Sequence, residues 1–183
     1  MPVEPGQFDM IAADTPMKAP ITFAAALLFS ACAHSPVLDS QPMPQVDLSR
    51  YMGRWYEIVR YTKYFERGCR DVTADYGLRS DGRVDVINTC RKGEARKVKT
   101  ARAVGWSAHP SNSRLKVRFF WPFTGDYWIV GLDTEYRWAM IGSPYKDYFW
   151  LLAREPKLDT ALEAQLFDQA RRLGYDPALF ERP

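Results

Sequence analysis

The 183-residue chain is 46% apolar, 14% aromatic and 26% charged, with a formal net charge of +3. That composition supports one sizeable core and leaves little room for a second full domain. The charges are scattered and nearly balanced, which excludes a disordered polyelectrolyte and gives no dedicated phosphate-binding surface, so nucleic acid is not an expected partner.

In chain order, residues 1–16 carry Glu4, Asp9 and Asp14 among prolines. This is the wrong chemistry for the start of an export signal, and the segment reads as a non-native extension before a true start at Met17. Residues 17–31 have signal-peptide grammar: Met17-Lys18, then an uncharged run from Ile21 to Ala31, far short of the ~20 residues a spanning helix needs. Ser30-Ala31-Cys32 resembles the end of a bacterial lipobox, in which the cysteine becomes acylated and N-terminal; Phe29 stands where that pattern usually has Leu or Val. Plain export is the alternative. Ala33, rather than Asp, after the cysteine points to outer-membrane sorting. Residues 32–45 then form a lipidated tether stiffened by Pro36, Pro42 and Pro44, holding the domain to the outer membrane and facing the periplasm. Loss of the leader leaves 24 basic against 19 acidic side chains, an excess that fits either an ordinary solvated surface or a mild preference for anionic membranes.

With Cys32 acylated, Cys69 and Cys90 remain as an even pair in an oxidising compartment. If residues 72–79 and 83–92 form a hairpin about Ser80-Asp81-Gly82, opposing residue numbers sum to about 162, and Cys90 falls opposite Val72, next to Cys69. A disulfide is expected, worth roughly 3 kcal/mol on the chain-entropy model; two buried thiols are the alternative.

From Trp55 onward, short β-rich runs alternate with turn residues. They are 54–61, 72–79, 83–92, 95–107, 114–120, 126–133, 136–142 and 148–154, with turns at Ser80-Asp81-Gly82, His109-Pro110, Thr124-Gly125 and Ser143-Pro144. Connections this short force antiparallel neighbours. Val72, Ala74, Tyr76 and Leu78 share one face, as do Leu115, Val117 and Phe119, giving strands with one wet and one dry side. Asp159 is a plausible N-cap for a helix over 159–173, with Leu162, Leu166, Ala170 and Leu173 in one stripe and Gly174 as stop signal. The expected fold is all-β: an eight-stranded up-and-down antiparallel barrel over residues 46–183, with one C-terminal α-helix packed outside. Closure removes the sheet edges and leaves an interior able to hold one small ligand.

Gly53-Arg54-Trp55-Tyr56-Glu57 resembles the Gly-x-Trp signature that opens the first strand of lipocalins. Phe65-Glu66-Arg67-Gly68, Val86-Ile87-Asn88, Leu132-Asp133 with Tyr136, and Trp150-Leu151-Leu152-Ala153-Arg154 follow in the family's order. The set is similar to bacterial outer-membrane lipocalins and to apolipoprotein D, with Thr134 where many relatives have Tyr. The resemblance implies that Gly53, Trp55, Asp133, Tyr136 and Arg154 are structural, with Arg154 stacked on Trp55 at the closed end of the barrel. It also implies fatty acids, lysophospholipids or similar amphiphiles as ligands.

Parity with Arg154 puts Leu152, Trp150 and Tyr148 inside, and parity with Trp55 puts Glu57, Val59 and Tyr61 inside; Glu57 then needs a partner or a raised pKa. Taking the apolar or small phase of each strand, the expected pocket comprises Tyr76, Ala101, Ala103, Val117, Phe119, Tyr127, Met140, Tyr148 and Trp150. The histidines lie in the tether (His34) and in a turn (His109), so the residues suggest no nucleophile–base pair, metal site or cofactor. Binding is the preferred function. A structural envelope lipoprotein with a filled barrel, and a lipocalin-like enzyme, are the alternatives; the oligomeric state is not legible.

Overall fold

A computed structural model describes residues 41–183 apart from Thr62. The expected extension, signal peptide, acylated Cys32 and tether up to residue 40 lie outside the described residues. Within them, the strands are β1 (Gly53–Arg60), β2 (Cys69–Leu78), β3 (Val84–Lys92), β4 (Lys97–Ser107), β5 (Arg114–Phe120), β6 (Phe123–Leu132), β7 (Trp138–Gly142) and β8 (Phe149–Ala153). Each pairs antiparallel with the next, and β8 pairs with β1 to close the barrel.

The β2–β3 hairpin adopts the expected register from Leu78 opposite Val84 to Thr73 opposite Thr89, then slips so that Arg70 faces Arg91 and Cys69 faces Lys92. Asp71, within the shifted stretch, adopts a positive φ (48°), the left-handed conformation that one class of β-bulge uses. The slip leaves Cys69 and Cys90 with Cα atoms 5.4 Å apart, joined by a disulfide.

A four-residue helix, α1 (Leu48–Tyr51), closes the end of the barrel where β1 begins; Asp47 caps it by accepting from the Ser49 N–H at 2.8 Å. Docking of this plug starts upstream, because the Met43 N–H donates to the Ile129 carbonyl and the Val46 N–H to the Ser111 carbonyl. Val46 is fully buried. Trp55 lies above α1 with no exposed surface, its indole N–H donating to the Tyr51 carbonyl at 2.8 Å. Arg154 lies over the indole at 3.8 Å and donates to the carbonyls of Arg54, Met52, Arg50 and Tyr51. Gly53 beside it has φ +92°, a left-handed conformation that favours glycine, while a Cβ there would make only ordinary contact, 3.4 Å from the guanidinium. Asp133 organises the neighbouring turn, accepting from the Glu135 and Arg137 N–H groups and from the Arg137 side chain. Tyr136 Oη accepts from the Asp47 N–H and ties that turn to the plug.

The second helix, α2 (Thr160–Arg172), is capped by Asp159, which accepts from the Ala161 and Leu162 N–H groups. Leu166 and Ala170, with Leu173 just beyond, pack on Ile58, Val59, Val130, Met140, Phe149, Leu151 and Ala153 on the outside of the wall. The barrel therefore has two apolar layers, one under the helix and one facing inward.

One expectation of parity fails at a bulge, in β1, and the expected facing of Met140 in β7 is not what the structure shows. The β1–β8 register shifts between Glu57 and Val59, and the slip reverses the facing of everything after it. Val59 packs under α2 and Tyr61 sits outside against Phe149, Tyr175 and Phe180, while Arg60 turns toward Glu57. The β6–β7 register shifts between Ile129 and Gly131, so that Gly131 faces Met140. Ala139 and Ile141 face inward and Met140 outward under α2, all three fully buried.

Candidate functional site

The barrel interior holds a cavity of about 1070 Å³, just above the ~300–1,000 Å³ range of small-molecule pockets. It runs from Tyr51 and Met52 at the plugged end to Lys92, Phe120 and Phe123 at the opposite end. The interior of this barrel is hollow, not filled by side chains.

Inward-facing alternation from several strands builds the walls. Ala74 and Tyr76 come from β2, Val84, Val86 and Asn88 from β3, Ala101 and Gly105 from β4, Leu115, Val117 and Phe119 from β5, Tyr127 from β6, and Trp150 and Leu152 from β8, with Tyr148 just before it. Of the residues expected from sequence, Tyr76, Ala101, Val117, Phe119, Tyr127, Tyr148 and Trp150 line this space. Ala103 faces inward but is packed against Val84 and Val86, behind the lining. Met140 is a correction: it belongs to the layer under α2. Apolar side chains occupy both faces of β7, because one is covered by the barrel interior and the other by a helix, so its alternation carries no signal.

The floor carries a tyrosine relay. Tyr127 Oη lies 2.7 Å from Tyr51 Oη and 3.0 Å from Tyr76 Oη. Burial, the largest influence, pushes the Tyr76 hydroxyl up to about 12 and holds Tyr51 and Tyr127 well above the ordinary tyrosine value. These hydroxyls stay neutral and present a polar base beneath apolar walls.

The wall formed by β1, β8 and the 3-10 turn Tyr64–Glu66 holds a charged cluster that sequence reasoning only half found. Glu57 accepts from Arg60 at 2.6 Å, and the two side chains are only 7% and 3% exposed. Arg60 also donates to the Glu66 and Cys69 carbonyls, and Trp150 donates its indole N–H to Glu66 at 3.0 Å. Tyr148 stacks on Trp150 with ring centres 5.6 Å apart, and the Lys63 ammonium lies 4.3 Å from the centre of the Tyr148 ring. Burial first, and the nearby Glu66 charge second, raise the Glu57 carboxyl to about 7 in spite of Arg60. Burial raises Glu66 as well, opposed by Trp150 and Arg60. Arg60 and Glu66 escaped the sequence reading because the bulge after Glu57 is silent in residue type. Across the cavity, the side-chain carbonyl of Asn88 is buried with no hydrogen-bond partner among the described residues.

An apolar tunnel with a polar floor and one charged wall suits an elongated amphiphile. Among the described residues, no group of three or more His, Cys, Asp or Glu side chains is placed to hold a metal ion.

Residues 46–183 match the model of the lipocalin-like domain. The chain belongs to the lipocalin family. It is 39% identical over 163 residues to the outer membrane lipoprotein Blc of Citrobacter freundii, covering 88% of this chain and 91% of that protein. It is 37% identical over 158 residues to Blc of Escherichia coli K12, covering 85% and 89%, and 32% identical over 139 residues to bovine apolipoprotein D, covering 69% and 68%. The solved structure of insecticyanin from the tobacco hornworm overlays with a TM-score of 0.64 at 16% identity, over 79% of this lipocalin and 83% of that chain, a likeness of fold alone.

Proposed function

We propose that this lipocalin is an outer-membrane lipoprotein, acylated at Cys32 and facing the periplasm, that binds and carries fatty acids, lysophospholipids or similar amphiphiles rather than transforming them. The observation that carries the reading is the cavity itself: about 1070 Å³ of space inside a closed barrel, walled by Val84, Val86, Leu115, Val117 and Leu152 and open to a chain entering from one end. Similarity to the Blc outer membrane lipoproteins over most of their length supports the location, as does the lipobox-like Ser30-Ala31-Cys32.

Burying a dozen methylenes is worth about 0.8 kcal/mol each, on the order of 10 kcal/mol in all, and association takes back at least ~4 kcal/mol. The remainder corresponds to roughly micromolar affinity, governed more by chain length than by headgroup. Trp150 lines the cavity, so binding is expected to change tryptophan emission. The test is titration with saturated fatty acids and lysophospholipids of increasing length: affinity should rise with each added methylene until the cavity is full. Affinity independent of length, or no binding below ~100 µM, would overturn the reading.

A further inference from the structure

Exposed aromatic side chains are gathered at one end of the barrel. Tyr64, Phe120, Trp121, Phe123 and Tyr145 are between 65% and 87% exposed and stand on the β1–β2, β5–β6 and β7–β8 connections, all on the side away from the α1 plug. The plugged end is polar: its turns are Arg79-Ser80-Asp81-Gly82-Arg83, the serine-rich segment 107–113 and Asp133 to Arg137. Water-exposed aromatics collected on one surface mark an interaction site.

Charge follows the same division. Arg67, Arg70, Lys92, Lys97 and Lys99 are exposed at the aromatic end. Of the acids near them, Asp71 is engaged with Arg91 and Arg96, Asp147 with Ser143, and Glu66 with Trp150, while Glu94 is exposed in the β3–β4 turn, so the cations at this end still outnumber the acids left to solvent. At the plugged end, cations and anions pair off as Arg54–Asp75, Arg83–Asp81 and Arg137–Asp133.

Aromatic side chains with cations beside them match the interfacial layer of a bilayer that carries anionic headgroups, where ring bodies sit among the upper methylenes and Lys and Arg meet phosphate. A second copy of this chain would instead bring the same cations face to face. The wall of the barrel supports the direction of docking. β4 pairs with β5 only over Val104–Ser107, so the Lys97 to Ala103 stretch has no β5 partner, and Lys99, Thr100 and Ala101 line the same cavity as Phe119, Phe120 and Phe123.

From these observations we propose that the open rim of the barrel is a membrane-docking surface for anionic bilayers, with Phe120, Trp121 and Phe123 entering the headgroup layer and Lys97 and Lys99 contacting lipid phosphate. Docking in this pose turns the mouth of the cavity toward the lipid. It does not depend on whether the cavity carries an amphiphile.

The test mixes the full chain with vesicles of phosphatidylglycerol and phosphatidylcholine whose acyl chains are brominated near the headgroup, and reads tryptophan quenching. Wild type and variants share one N-terminus, so any anchor there cancels. The wild type should show a blue-shifted, bromine-quenched component that Trp121→Phe removes. Phe120→Ala with Phe123→Ala should cut that component several-fold while circular dichroism and melting stay unchanged, and Lys97→Glu with Lys99→Glu should abolish its dependence on phosphatidylglycerol. Trp121 equally open to aqueous acrylamide with and without vesicles would overturn the proposal. So would shielding of Trp121 without bromine quenching and with doubled mass in solution, which would mean that a second copy covers the rim.

Discussion

Arg154 spends its guanidinium on four carbonyls of the segment Arg50 to Arg54 while its plane covers Trp55 at 3.8 Å. Replacement by Ala uncovers the indole and strands those acceptors, so Arg154→Ala is expected to lower stability by about 1–3 kcal/mol, read as a fall in the denaturation midpoint; an unchanged midpoint would remove this contact from the folding energetics. Glu57 behaves oppositely to a surface carboxylate. Its folded pKa, about 7, lies above its unfolded value, so folding favours the protonated form. The resulting stabilisation is complete below the unfolded pKa and is lost as pH rises through about 7. Melting temperature should therefore decline between roughly pH 5 and pH 7.5, and Glu57→Gln, which mimics the neutral acid, should flatten that slope and melt no lower than the wild type at pH 8. An equal slope in the variant would assign the titration elsewhere. At this scale the sequence made Trp55, Arg154 and Asp133 legible through their motif, and marked Glu57 as a carboxyl needing an explanation. Arg60 and Glu66 were hidden because their roles depend on a one-residue bulge that composition does not record.

Each strand was readable where its two faces differ. In β2 and β5 apolar and polar residues alternate, and Asp81-Gly82 sets the β2–β3 register; these features are local, and the structure reproduces them to within a few residues. β7 gave no phase because Ala139, Met140 and Ile141 are all buried, two against the barrel interior and one under α2. The four-residue α1 was invisible for a different reason: it is too short to show a helical period, and tertiary packing holds it. Packing under α2 also leaves β7 intolerant of added volume. A Cβ on Gly142 would fall on the hydroxyl of Tyr175, which is only 1% exposed and packed against Phe149. Gly142→Ala should therefore cost about 1–3 kcal/mol, measured by denaturant unfolding, whereas Gly82→Ala, which meets nothing within 4 Å but sits at φ +78°, should cost only the conformational penalty of about 1 kcal/mol. Equal costs at the two sites would mean that Tyr175 moves freely.

Closure of the whole barrel followed from strand number and short connections, but the size of the space inside did not. Whether an eight-stranded interior is filled or hollow is settled by side chains from strands far apart in the chain, and Ala74, Ala101 and Gly105 together leave room that none of them signals alone. The most direct measurement of that space as a binding site is calorimetric titration of long-chain lysophospholipid at several temperatures, with the wild type and with Ala101→Trp. Ala101 is exposed to the cavity, so the indole has room to enter without displacing the wall. The wild type should bind with a negative heat-capacity change that grows with acyl-chain length, the mark of apolar burial, and Ala101→Trp should lose most of that affinity while melting at the wild-type temperature. Undiminished binding in a stably folded Ala101→Trp variant, or a heat-capacity change indifferent to chain length, would contradict a cavity that holds the acyl chain.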